Sequence, residues 1–339
     1  MHWEDIAGHT GVVTILKNML AGGRVPHALL FVGPAGLGKS LTAHVLAAGL
    51  LCNSDAAKPC GECSSCRKLE QGGHPDLAVL PNDGTSLKID QIRELQHQAA
   101  LAPYYGDHRV FIIEAADRLT PPAAGSLLKI LEEPPAGTVF ILTAVSPHVL
   151  LSTIVSRCML LPFHPLPAEV LSHLLGVRGA SPELAAIAAR LAGGRVGAAL
   201  ALLGPDGFGA RDRAAQIVAA LPGAGSDLIW DTVAVMEKLE TDELHALLRN
   251  FSYIFRDLLV ILIGQDNLIL NLDITAKLHG MAAAWEGVRL AQALDDIKQA
   301  VRALGANANK RLTCEALLIR LMDAAREGKD NANSCWHTI

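Results

Sequence analysis

Apolar residues at Val12, Val13, Leu16 and Leu20 recur at helical spacing and stop at Gly22-Gly23, predicting a helix closed by a glycine cap. Ala28–Val32 is a short continuous apolar run that feeds a glycine-rich loop, and a helix is expected from about Lys39 to Leu51. Further strands are expected at Leu77–Leu80, Arg109–Ile113, Thr138–Thr143 and Met159–Phe163. Between them, Ile89, Ile92, Leu95 and Ala99 form one helical stripe, and Leu127, Leu128, Ile130 and Leu131 another. Thr120 before Pro121 reads as a helix start and Pro134-Pro135 as its stop. Strands alternating with helices point to an α/β fold whose five-stranded parallel sheet is covered on both faces.

Near Pro162–Pro167 the alternation of strands and helices ends and only helical spacing remains. A small helical unit is expected to about Leu203, then a turn at Gly204–Gly209. Amphipathic helices follow, with positions such as Val233, Met236, Leu239 and Leu244, to about Glu327. The polar end, Gly328–Ile339, is expected to fray. No internal repeat is evident.

Composition narrows the classes. The chain of 339 residues exceeds one compact domain, half of it is apolar, and only 4% is aromatic. A net charge of −5 gives no bulk basic signal, so any DNA contact must be local or supplied by partner chains. Met1-His2-Trp3-Glu4-Asp5 lacks the apolar core of a signal peptide, and Leu258–Gly264 falls far short of the roughly 20 residues of a membrane span. No membrane association is expected. Four of the seven cysteines fall in one short segment, which favours a cytosolic metal site over a disulfide framework.

Gly33-Pro34-Ala35-Gly36-Leu37-Gly38-Lys39-Ser40 matches the phosphate-binding P-loop. Gly33, Gly36 and Gly38 let backbone N–H groups converge on phosphate oxygens at a helix N-terminus. Lys39 would neutralise the β and γ phosphates of ATP, and the Ser40 hydroxyl would ligand Mg²⁺. The bland alternative is a glycine-rich turn, but a strand before and a helix after supply the required context. Hydrolysis demands more. The strand Val110–Ile113 ends in Glu114, whose longer arm could still hold a metal-bound water. Ala115 follows it and cannot act as a base, while Asp117 is expected on the next turn. Binding with little or no turnover is the expectation.

Cys52, Cys60, Cys63 and Cys66 give C-x7-C-x2-C-x2-C. Four thiolates suit tetrahedral Zn²⁺ in a closed, structural site. A redox Cys-x-x-Cys pair is the alternative, but it does not call for two further cysteines. His74 could replace Cys52, though a turn-forming role before Pro75 fits better. Cys158 reads as a small buried hydrophobe.

Taken together these segments resemble the bacterial clamp-loader family of AAA+ proteins, nearly end to end. The resemblance is carried by Gly33–Ser40, by the four cysteines with His74-Pro75-Asp76, and by Lys88–Leu95. It continues in Leu127-Leu128-Lys129-Ile130-Leu131-Glu132-Glu133-Pro134-Pro135, Ser156-Arg157-Cys158 and Asn307-Ala308-Asn309. It implies an AAA+ domain with its zinc insert over residues 1–165, a helical lid over 166–205 and a helical collar over 208–330. It also implies a hetero-pentamer with γ/τ and δ subunits that loads the β sliding clamp onto primed DNA in the cytoplasm, as part of DNA polymerase III. In such loaders the Ser-Arg-Cys arginine, here Arg157, reaches the γ-phosphate of ATP on the neighbouring subunit. Read without the family, Arg157 is an ordinary surface ion-pair residue.

Glu132 and Glu133 sit where the helix dipole disfavours acids, which favours an interface role with an unnamed partner group over the alternative of a solvated helix end. The motor branch of the family carries Asp-Glu where this chain has Glu114-Ala115. It also has a polar sensor, expected here near the apolar Ala144 or Val145, and a second-sensor arginine aligning near Gly197, with Arg195 off register. These departures favour the non-hydrolysing stator branch. The rivals are an active motor subunit, a zinc-containing P-loop nucleoside kinase and a zinc-stapled module with a vestigial nucleotide loop.

Overall fold

The computed structural model describes residues 1–54, 58–82, 84–204 and 207–334. They divide into two compact units, one of residues 1–174 with 193–198 and the other of 175–192 with the rest of the C-terminal half.

In the first unit, β1 (Ala28–Val32), β2 (Leu77–Leu80), β3 (Arg109–Ile113), β4 (Thr138–Ala144) and β5 (Met159–Pro162) form one parallel sheet in the order β2-β3-β4-β1-β5. The central strands β4 and β1 are buried along their whole length, as continuous apolar runs covered on both faces must be. Phe111 of β3 and Phe140 of β4 stack at 5.3 Å between ring centroids. The edge strands are wetter, and Met159 and Leu160 of β5 face solvent.

Six helices accompany the sheet: α1 (Thr10–Ala21), α2 (Lys39–Leu51), α3 (Ser64–Glu70), α4 (Ile89–Ala99), α5 (Pro121–Glu132) and α6 (Ser152–Val155). Helix α1 closes at Gly22, and Gly23 (φ +60°) takes the left-handed turn that lets the Arg24 N–H return to the Met19 carbonyl. Helix α5 starts at Thr120 with Pro121 in its first turn, as the sequence predicts, but the Thr120 hydroxyl donates to the Leu87 carbonyl instead of capping the helix. Helix α3 has no counterpart in the sequence reading.

The remaining helices are α7 (Ala168–Val177), α8 (Pro182–Ala192), α9 (Val196–Leu202), α10 (Gly209–Ala220), α11 (Ser226–Lys238), α12 (Thr241–Leu262), α13 (Thr275–Ala282), α14 (Gly287–Gly305) and α15 (Lys310–Ser334). The second unit is all helix, around a core that includes Phe251, Phe255 and Trp285. Val233 and Met236 are buried on α11 and Leu244 on α12, with Leu239 at the C-terminal cap between them. Helix α15 continues past Glu327 to Ser334 rather than fraying from Gly328. No proline interrupts that stretch, and adding a residue to an existing helix costs far less than starting one. Residues 335–339, the rest of that expectation, lie outside the described residues, as do Pro205 and Asp206 of the expected turn. None of the described helices is long and apolar enough to cross a membrane.

Candidate functional site

Because the sheet is parallel, the loops after β3, β4 and β1 leave it at the same edge, side by side, and this is where open α/β sheets bind ligands. After β1 comes the P-loop. Gly33 (φ +151°) leaves no room for a side chain, since a Cβ there would lie 2.3 Å from the Phe163 carbonyl oxygen. Gly36 and Gly38 take φ of +82° and +84°, the left-handed values glycine tolerates. Lys39 is buried and its ammonium donates to the Gly33 and Pro34 carbonyls. Burial lowers its pKa, and the charge of Asp117 works in the opposite direction.

The Ser40 hydroxyl donates to Glu114 Oε1, and Glu114 Oε2 accepts from the Asn82 N–H at 3.2 Å. The hydroxyl of α2 and the carboxylate after β3 thus meet, the pairing a Mg²⁺ shell requires. Gly36, Gly38, Lys39, Ser40 and Glu114 line one cavity of about 220 Å³, and Gly33 is not among its lining residues. Asp117, on the next turn as expected, lines the cavity too. Ala115 adopts a left-handed conformation (φ 50°, ψ 54°), which folds the chain back so that Asp117 Oδ1 accepts from the Val145 N–H at 3.2 Å. Thr143 at the end of β4, unnoticed in the sequence, accepts the Ala115 N–H at 3.0 Å and so fixes that turn.

The segment near Gly197 packs directly on the loop. The Gly197 N–H donates to the Gly36 carbonyl at 2.9 Å, and a Cβ at Gly197 would come within 3.3 Å of Gly36 Cα.

The sulfur atoms of Cys52, Cys60, Cys63 and Cys66 lie within 4.8 Å of one another. Cys52–Cys63 and Cys60–Cys66 are each 4.0 Å apart, close to the roughly 3.8 Å edge of a tetrahedron with Zn–S bonds of about 2.3 Å. The cluster could therefore hold a metal ion. Cys60 and Cys63 accept backbone N–H groups from Cys63 and Cys66, both at 3.4 Å. Burial works to raise the Cys63 thiol but is outweighed by hydrogen bonds from the Cys66 and Asn53 N–H groups, which bring it down to about 6. Burial pushes the Cys66 thiol up to about 12, so a bound cation is what would ionise all four together.

His74 is no part of that cluster. Its Nδ1 accepts the Asp76 N–H at 3.1 Å, leaving Nε2–H to donate to the Ser65 hydroxyl of α3 at 2.6 Å. Burial lowers its pKa, consistent with this neutral tautomer. Asp76 is fully buried and accepts the N–H groups of Tyr104 and Tyr105 at 2.6 and 2.9 Å. The His-Pro-Asp triplet thus ties the cysteine insert and the loop before β3 to the start of β2. Asp76→Ala strands two N–H groups and is expected to cost about 3 kcal/mol in urea unfolding, with Asp76→Asn costing less.

Arg157 stands apart from the P-loop cavity, after α6. Its guanidinium pairs with Glu132 Oε1 at the C-terminus of α5, at 2.5 Å, and donates to the Thr153 carbonyl at 2.9 Å. Glu132 thereby gains the partner that sequence could not name. Cys158 is half-buried against the sheet's core, and burial pushes its thiol up to about 11.

The family described as DNA polymerase III, delta subunit, matches residues 8–167. DNA polymerase III subunit tau of Salmonella typhimurium is 38% identical over 51% of this chain, though only 27% of that protein is covered. The crystal structure of a DNA polymerase III gamma subunit-related protein from Thermotoga maritima covers 92% of this chain and 99% of its own, at TM-score 0.49 and 16% identity. DNA polymerase III subunit delta' of Bacillus subtilis is 32% identical over 319 residues, 92% of this chain and 95% of the relative. With a match of that identity running almost from end to end of both proteins, the chain belongs to the DNA polymerase III subunit delta' family.

Proposed function

We propose that this chain is the stator of a clamp loader, which binds nucleotide with little or no turnover and presents Arg157 to the ATP site of a neighbouring subunit. The position of Arg157 carries the reading: it lies outside the chain's own nucleotide cavity, partly exposed, in a segment whose apolar residues Val149, Leu151 and Met159 face solvent. An arginine so placed can serve a phosphate only on another chain. The partners are γ/τ and δ subunits in a hetero-pentamer, with the β clamp and primed DNA as its substrates in the cytoplasm. Residues 166–205 act as the lid and 208–330 as the collar. Zn²⁺ held by the four cysteines is structural, because four thiolates leave no open coordination position.

At the chain's own site the loop N–H groups, Lys39 and the Ser40–Glu114 pair would hold ATP and Mg²⁺. Ala115 offers no base for water. The isolated chain is therefore expected to bind Mg·ATP in a titration, to lose that binding by at least tenfold in Lys39→Ala, and to show negligible steady-state hydrolysis. Robust hydrolysis would remove the stator reading in favour of a motor-type ATPase. That second reading draws on Asp117, the carboxylate that shares the cavity with Lys39 and Glu114.

A further inference from the structure

We infer that Glu132 positions the Arg157 guanidinium for the neighbouring nucleotide site. The inference rests on Arg157 acting in trans, and it adds a residue that sets how well the arginine performs. Two segments apart in sequence, the Glu-Glu-Pro-Pro end of α5 and the Ser-Arg-Cys turn after α6, are joined by this ion pair. On one side of the fork, Nη2 is held by Glu132 Oε1; on the other, Nη1 donates to the Thr153 carbonyl, with the Ser156 hydroxyl at 3.4 Å.

A guanidinium has five N–H donors in a rigid plane, so anchoring it through two of them leaves others free and fixes the plane they point from. Both partners stay accessible, with the Arg157 side chain 34% exposed and that of Glu132 48% exposed. A pair this open contributes little to stability. Its effect falls on orientation: an unrestrained arginine samples many rotamers, whereas this one is held before a neighbour's phosphate arrives. The pair also offsets the unfavourable placement of an acid at a helix C-terminus.

The test uses a reconstituted loader carrying substitutions in this chain alone, with ATP turnover and complex assembly both measured. The quantity read is the Arg157-dependent turnover, the difference between the unaltered loader and its Arg157→Ala form. Glu132→Ala is expected to lower that turnover about 2- to 5-fold through kcat, the most that an exposed pair of this kind can hold in orientation, with KM for ATP unchanged and assembly intact. Glu132→Asp should restore part of it, and Glu132→Ala should add nothing once Arg157→Ala is present. Turnover at or above the unaltered level in Glu132→Ala, or an additive double variant, overturns the role of Glu132 while leaving the trans arginine standing. If Arg157→Ala itself leaves turnover unchanged, the trans arginine and the role of Glu132 fall together. Should Glu132→Ala impair assembly, Glu132→Gln is read instead, and impaired assembly there too overturns positioning in favour of a structural contact.

Discussion

Replacing Arg157 by alanine is expected to leave this chain folded and assembled while cutting ATP turnover at the site it faces by about 10³-fold or more, the scale on which trans arginines act. The guanidinium would stabilise charge spreading over the transferring phosphoryl oxygens, an interaction that is strongest in the transition state. The loss should therefore fall on kcat rather than on ATP affinity. Stability should move by less than about 1 kcal/mol, because the pair with Glu132 is solvent-exposed. Arg157→Lys should rescue little, since an ammonium supplies charge without the planar fork. Steady-state hydrolysis by the reconstituted loader, with thermal unfolding of the isolated chain as control, decides it. Unchanged hydrolysis would return Arg157 to an ordinary surface ion pair.

The elements around that arginine were legible to very different degrees. Strands β1 to β5 stood out because a sheet buried on both faces needs continuous apolar runs, and the observed limits differ from expectation only at Ala144 and Phe163. The first helix was equally plain, since its stop depends on a glycine in a left-handed turn. Helix α3 was not. It has only two residues before Cys66 and four after it, and its N-terminal cap is the sulfur of Cys63 rather than one of the usual oxygen caps. Its pattern is set by the cysteine nest, so neither apolar period nor propensity reveals it.

Within the candidate site, the P-loop and the four cysteines were readable because their chemistry is local and fixes the spacing. The place of Asp117 in the cavity and the part played by Thr143 were hidden for a conformational reason. Alanine rarely adopts the positive φ seen at Ala115, and only that turn brings Asp117 back to the cavity. The Thr143 hydroxyl that supports it comes from the next strand over. The Glu132–Arg157 pair was hidden by topology, because nothing in the sequence sets the end of α5 beside the turn after α6. A rule broken at Glu132, an acid against the helix dipole, was the one visible trace of it.

Removing the metal is expected to undo the insert while sparing the rest of the fold. Metal analysis should find about one ion per chain, and none in Cys60→Ser. In the chelated chain the four sulfur atoms, within 4.8 Å of one another, lack the cation that would bind them together, and the short helix α3 is too brief to persist alone. Amide exchange should accelerate over Cys60–Glu70, and trypsin should gain access at Arg67 and Lys68. The sheet should stay protected, because its core of residues such as Phe31, Val110 and Ile141 does not depend on the cysteines. Some loss should spread outward through two named contacts: the Trp3 indole N–H on the Lys58 carbonyl, and the Ser65–His74 hydrogen bond that leads to β2. Exchange unchanged by chelation would mean that those contacts hold the insert without a metal, and that the cysteines contribute no staple.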